Sequence, residues 1–241
     1  MRIGIIGSGG RMGKAIASLL DHGEYTLAGG IDQGEQPGPL ADRSDVLIDF
    51  SSPGALAATL DAARRATVPL VIGTTGLSDA DHAAIDDAAR TIPLLQTGNT
   101  SLGVTLLAHL VRDAAARLGP DWDVEIVEMH HRGKVDAPSG TALLLGEAAA
   151  RGRGVDLSVV RDSGRDGHTG PREAGDIGFA ALRGGTVAGD HSVVFAGEEE
   201  RITLSHSAEA RTIFARGAVR AARWLIDQPA GRYTMEQVLG L

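Results

Sequence analysis

The chain has 241 residues, 43% of them hydrophobic and 22% charged, with 33 glycines, no cysteine and a net charge of −8. The length suits one large domain or two modest ones, and the negative balance argues against general nucleic-acid binding while leaving room for a local basic pocket. The missing thiols exclude disulfides and thiolate metal centres.

The first predicted strand, RIGIIG (2–7), is apolar and ends in glycine, with no leader segment read ahead of Arg2. GRMGKAIASLLDHG (10–23) has helical spacing at Met12, Ile16, Leu19 and Leu20 and stops at Gly23. Strands follow at 26–32, 45–50, 68–76 and 92–99. Between them lie a helix after Ser51-Ser52, with one of these serines as its N-cap, and a helix over 78–90 opened by a serine cap and acidic residues. Apolar strands alternating with helices predict a parallel sheet covered on both faces.

The pattern then changes. A long helix spans 101–119, an alternating strand 121–131 and a helix 139–150, and a polar, Gly-rich loop covers roughly 152–175. Three hairpin-like strands, 176–185, 190–197 and 200–208, break at Gly184-Gly185 and Gly197, so a second, mostly antiparallel sheet is expected. An amphipathic helix over 212–226 closes the chain. No apolar run is long enough to cross a bilayer, and a soluble cytoplasmic protein without membrane or nucleic-acid partners is expected.

GIIGSGGRMGKAI places Gly7, Gly10 and Gly13 as GxxGxxG between a strand and a helix. Gly7 would make the turn, Gly10 admit a pyrophosphate and Gly13 let the helix pack closely. Asp32, at the end of the second strand, has the spacing to grip an adenosine ribose. The alternative is a glycine-rich turn without a ligand. Gly73-Thr74-Thr75-Gly76 and Thr97-Gly98-Asn99-Thr100 end later strands, where a parallel sheet places its ligand crevice.

HHRGKVDAPSGT (130–141) concentrates titratable chemistry. Its strand ends near Met129, and a loop carries His130, His131 and Lys134. Ser139 caps a helix starting at Gly140 or Thr141, whose N–H groups suit an anion. With His131 and Lys134 alongside, the stretch suits a small dicarboxylate, and His130 could act as a general acid or base. A solvated charged loop is the plain alternative. Metal ligation is disfavoured, since adjacent side chains diverge on a strand and no third ligand lies at motif spacing.

EIVEMHHRGKVDAPSGTA closely resembles the signature of the dihydrodipicolinate reductases, now called 4-hydroxy-tetrahydrodipicolinate reductases, of bacterial and plant lysine (diaminopimelate) biosynthesis. The resemblance runs through the chain: GSGGRMG, IDFSSP (48–53), GTTG (73–76), GNTSLG (98–103), IGFAALRGG (177–185), GDH (189–191) and RTIFARGAVRAARWL (211–225). It implies a Rossmann-like dinucleotide-binding domain, residues 1–101 plus 212–241. It also implies an inserted α+β domain, residues 102–211, that binds substrate and forms a homotetramer through its open sheet. The antiparallel edges expected there also favour assembly.

By resemblance, Gly7, Ser8, Gly9, Gly10, Arg11, Met12, Asp32, Gly73, Thr74, Thr75, Thr97, Gly98, Asn99 and Thr100 bind the nicotinamide cofactor. His130 is the acid/base residue, Lys134 the proton donor, and His131, Lys134, Ser139, Gly140 and Thr141 hold the substrate carboxylates. The reaction implied is NAD(P)H-dependent reduction of a cyclic imine-type substrate, with an inter-domain cleft that closes. Asp32 followed by Gln33 favours NADH over NADPH, and Arg11 and Lys14 cut the other way. Three departures stand out: Gly9 for the usual serine, a short 33–44 segment, and GNTS where an Asn-Phe-Ser is common. The competing readings are an aspartate or homoserine dehydrogenase-like enzyme and a non-catalytic NAD(H)-sensing protein.

Overall fold

A computed structural model describes residues 1–20 and 24–241, so the helix stop expected at Gly23 lies outside the described residues. The chain forms two compact units, Met1–Leu102 with Thr212–Leu241, and Gly103–Arg211. In chain order, the first unit begins with β1 (Arg2–Ile6), α1 (Arg11–Leu20), β2 (Thr26–Ile31), α2 (Gly38–Ala41), β3 (Val46–Asp49), α3 (Leu56–Ala66), β4 (Leu70–Ile72), α4 (Asp79–Ala88) and β5 (Pro93–Gln96). The second unit follows with α5 (Leu102–Leu118), β6 (Asp123–His130), α6 (Gly140–Arg153), α7 (Leu157–Val160), β7 (Arg161–Ser163), β8 (Ile177–Arg183), β9 (Asp190–Ala196) and β10 (Arg201–Ser207). The chain then returns to the first unit with α8 (Thr212–Leu225), β11 (Gly231–Tyr233) and α9 (Met235–Leu239).

The sheet of the first unit runs β11-β5-β4-β3-β1-β2, and every neighbouring pair is parallel. Its central strands β3 and β4 are buried along their whole length, and Val46–Ile48 and Leu70–Ile72 are continuous apolar runs because both faces are covered. Side chains alternate: Leu47, Leu70, Ile72 and Leu94 pack with α2, α3 and α4, while Val46, Ile48, Val71 and Leu95 pack with α1, α8 and α9. Ser78 starts α4 through a capping box with Asp81, as its sequence predicts.

The serine cap expected ahead of α3 is not made. A 3-10 turn, Pro53–Ala55, precedes that helix, and Ser52 at its start makes no side-chain cap. Ser51 turns its hydroxyl to Asp49 instead, at 2.6 Å. The shortened 33–44 segment retains only the four-residue α2.

The sheet of the second unit runs β10-β9-β6-β8-β7. Antiparallel pairing makes the two seven-residue ladders β6–β9 and β9–β10, and parallel pairing joins β6 to β8 and β8 to β7. The break at Gly197 is the expected hairpin, but the one at Gly184-Gly185 is not, because β6 lies between β8 and β9. The stretch read as a loop contains α7 and β7. On one face Val124, Ile126, Val193 and Phe195 pack against Leu107 and Val111 of α5 and Leu145 and Ala149 of α6. The face-switching period of two puts Glu128 and His130 on that same buried side. Among the described residues no helix is long and apolar enough to cross a membrane.

Candidate active site

The β1–α1 turn is built as a close backbone cradle. Gly7 has φ +83°, and a Cβ there would strike the Phe50 carbonyl. A Cβ on Gly13 would overlap the Gly7 carbonyl oxygen and the Ser8 backbone, so helix and turn touch main chain to main chain. The Gly7 and Ser8 N–H groups donate to the Ile31 carbonyl at 2.9 and 3.2 Å, which ties the turn to the end of β2. Asp32, the next residue, accepts from the Gly9 N–H and from the Ser8 hydroxyl, each at 2.9 Å. Beside it opens a cavity of about 590 Å³ lined by Gly7, Asp32, Gln33, Glu35, Ser51 and Thr59 among others, with no lysine or arginine in its described wall. The turn, the helix start and the carboxylate at the cavity edge fit a dinucleotide.

Gly73, Thr74 and Thr75 follow β4, and Thr97 to Thr100 follow β5. Three of their hydroxyls are already engaged inside the fold. Thr74 donates to Asp49 at 3.2 Å, and Thr100 donates to the Phe214 carbonyl at 2.7 Å. Thr97 donates to the Asn99 carbonyl. These hydrogen bonds commit the Thr74, Thr97 and Thr100 hydroxyls within the protein. Asp49 is fully buried, and burial pushes its carboxyl up against the pull of hydrogen bonds from Ser51 and Thr74.

In the second unit His130 is the last residue of β6 rather than part of the following loop. This placement fixes its ring on the buried face, where its Nδ1 lies 2.6 Å from Glu128. Glu128 is 1% exposed and takes a two-pronged contact from Arg183, 2.8 Å to each oxygen, and the Ser139 N–H at 3.1 Å. Burial alone would push the Glu128 carboxyl up; Arg183 and His130 outweigh it and hold it below its ordinary value. His131 points elsewhere, its Nε2 3.1 Å from Arg211, so the two adjacent histidines diverge. His131, Gly133, Gly185 and Arg211 line a cavity of about 560 Å³. The Lys134 ammonium donates to Asp136 at 2.8 Å, and the Lys134 N–H closes a turn on the His131 carbonyl.

Ser139 caps α6 by accepting from the Ala142 N–H at 3.1 Å, and its hydroxyl also contacts His191 Nε2 at 3.1 Å. That hydroxyl is buried in the cap and is turned inward. Gly140 and Thr141 begin the helix. The His191 ring meets the His130 ring edge-on at 5.1 Å, and burial with the neighbouring His130 lowers it to about 4, so it is neutral near pH 7.

Sequence reasoning missed Glu128, Arg183, His191 and Arg211 as members of this cluster. The signal for Glu128 was its spacing of two from His130 on a strand. The others come from β8, β9 and the turn before α8, all remote in sequence.

The two halves of the chain match the family descriptions "Dihydrodipicolinate reductase, N-terminus" over residues 1–100 and "Dihydrodipicolinate reductase, C-terminus" over residues 103–239. A protein from Zymomonas mobilis subsp. mobilis, named 4-hydroxy-tetrahydrodipicolinate reductase, is 58% identical over 248 residues, covering 100% of this chain and 98% of that one. One of the same name from Acidiphilium cryptum is 52% identical over 242 residues, with the same coverage. Among solved structures, a dipicolinate-bound dihydrodipicolinate reductase from Paenisporosarcina sp. TG-14 shares the fold, with a TM-score of 0.78 at 23% identity and 97% of each chain covered. Matched along both halves and at these identities, the chain belongs to the dihydrodipicolinate reductase family.

Proposed function

We propose that this chain catalyses its family's reaction, the NAD(P)H-dependent reduction of 4-hydroxy-tetrahydrodipicolinate to tetrahydrodipicolinate in diaminopimelate and lysine biosynthesis. The observation that carries it is His130, held on Glu128 beside the Ser139 cap of α6, with His131 and Lys134 in the turn that follows it in the same unit. Relatives bearing that enzyme name over their full length favour this reading over an aspartate or homoserine dehydrogenase-like or a NAD(H)-sensing one.

The first unit would hold the cofactor. Backbone of the Gly7–Met12 turn receives the pyrophosphate, Asp32 the adenosine ribose, and the segments at 73–75 and 97–100 the nicotinamide end. When bound, the reduced nicotinamide supplies hydride. Asp32 and Glu35 at the edge of a cavity without a basic wall favour the free ribose hydroxyls of NADH over the phosphate of NADPH, so NADH is preferred and NADPH is used less well.

The second unit would hold the substrate. Gly140 and Thr141 at the helix start, with His131 and Lys134, receive its two carboxylates. As hydride adds, Lys134 donates the proton that quenches electron density on the ring, and His130 exchanges a proton through Nε2. Four chains would assemble through the sheet of this unit, where the exposed Leu182 and Ile202 and the open seven-residue edge of β10 would otherwise face water. The assembly would work in the cytoplasm. Following the absorbance of reduced nicotinamide with aldolase-generated substrate tests the proposal: consumption that depends on both is expected, and a cofactor that binds without turnover would sink it.

A further inference from the structure

Glu128 belongs to neither the cofactor set nor the substrate set, yet it stands directly behind His130. We propose that Glu128 is a positioning residue. Its carboxylate, clamped by Arg183, holds the His130 imidazole with a proton on Nδ1 and so leaves Nε2 as the atom that exchanges a proton with substrate. This rests on reading His130 as the acid–base group.

The geometry supports each step. Glu128 Oε1 accepts from Arg183 and the Ser139 N–H; Oε2 accepts from Arg183 and lies 2.6 Å from His130 Nδ1. The carboxylate is anchored from three elements, β6, β8 and the start of α6, and is sealed from water. Arg183 is itself fixed by the Asp136 and Leu182 carbonyls, each at 2.6 Å. An ionised carboxylate only accepts hydrogen bonds, so the proton of the contact must sit on His130 Nδ1. In neutral imidazole this leaves the lone pair on Nε2. Among the described residues Nε2 has no hydrogen-bond partner, and it is not one of the enclosed polar atoms. The other groups around His130 are His191 from β9, Ser139 at α6, and Lys134 and Asp136 in the loop, linked through Arg183. None of them offers Nδ1 a second acceptor at hydrogen-bond distance.

Two measurements on the full chain test this. In the unmodified protein labelled with 15N-histidine, the His130 signals, assigned by their loss in His130→Gln, should show the Nδ1–H tautomer when the ring is neutral. The Nε2–H tautomer would overturn the proposal. The second measurement uses Glu128→Gln with Arg183→Met, because removing the carboxylate alone strands a guanidinium beside a buried site. Here kcat should fall on the order of 10–100-fold, the usual cost of losing an orienting partner, while KM moves only about twofold to threefold. The histidine limb of the pH profile should move to lower pH, since the imidazolium loses its anion. Unchanged NADH and pyridine-2,6-dicarboxylate binding reports an intact fold. A double variant with unaltered kcat and an unmoved limb refutes the proposal, and if that variant does not fold the tautomer decides alone. Should His130→Gln keep normal turnover, the reading of the site fails instead; an inactive His130→Gln beside a fully active double variant sinks only the role of Glu128.

Discussion

His191 makes the second unit sensitive to acid in a way that can be calculated. The side chain is buried on β9 between the His130 ring and the Ser139 hydroxyl, and its Nδ1 is enclosed without a partner. Burial, reinforced by the charge that His130 carries when protonated, depresses it from the ordinary 6.5 to about 4. Its folded value lies below its unfolded one, so its contribution to stability is present above about pH 6.5 and is lost as pH falls toward 4. At about 1.4 kcal/mol per pH unit the full loss approaches about 3 kcal/mol, of which about 2 kcal/mol is gone by pH 5. His191→Gln removes the titration while keeping a polar group near Ser139. The chain has two tryptophans, Trp122 in the second unit and Trp224 in the first. In a Trp224→Phe background, Trp122 fluorescence follows urea unfolding of the second unit at fixed protein concentration. Between pH 7 and pH 5 the parent should lose about 2 kcal/mol more than the His191→Gln variant. Every other titrating group is common to both and cancels to first order. Equal losses would show that His191 protonates in the fold without cost, and the reasoning from burial would be wrong.

Lys134→Ala should cut kcat by about 10²–10⁴-fold, and His130→Ala should do likewise, with NADH affinity by fluorescence titration unchanged because the proposed cofactor contacts lie in the other unit; near-normal turnover of Lys134→Ala would refute its proposed role as proton donor. Asp32→Ala combined with Gln33→Arg should shift the ratio of kcat/KM values toward NADPH, and a clear NADPH preference in the unmodified protein would mean that Arg11 and Lys14 outweigh Asp32. Light scattering at micromolar concentration should give about four times the 24.9 kDa of one chain, and a clean monomer would exclude assembly through the second sheet.

Much of the fold is written locally. Continuous apolar runs such as Val46–Ile48 and Leu70–Ile72 announce strands buried on both faces, and the spacing of α1 and α8 announces helices with one buried stripe. The Ser78 and Ser139 caps are legible because a cap is a contact between residues three apart. The same holds for the glycine turn and the His130–Lys134 run, whose spacing is short. The three-residue edge strand β11 and the five-residue α9 carry too little periodicity to be seen.

What the tertiary structure decided is strand order and register. Consecutive strands β8 and β9 look like a hairpin, but β6 takes the place between them, because the α6–α7–β7 connection is long enough for a parallel crossover. That insertion brings His191 opposite Glu128 and Arg183 opposite His130. Glu128 and Arg183 are 55 positions apart, and no local pattern relates them. The sequence by itself marked His130, His131 and Lys134 as the candidates for the chemistry; only the sheet register determined which carboxylate stands behind which histidine, because cross-strand neighbours follow from the pairing of the whole ladder and not from spacing along the chain.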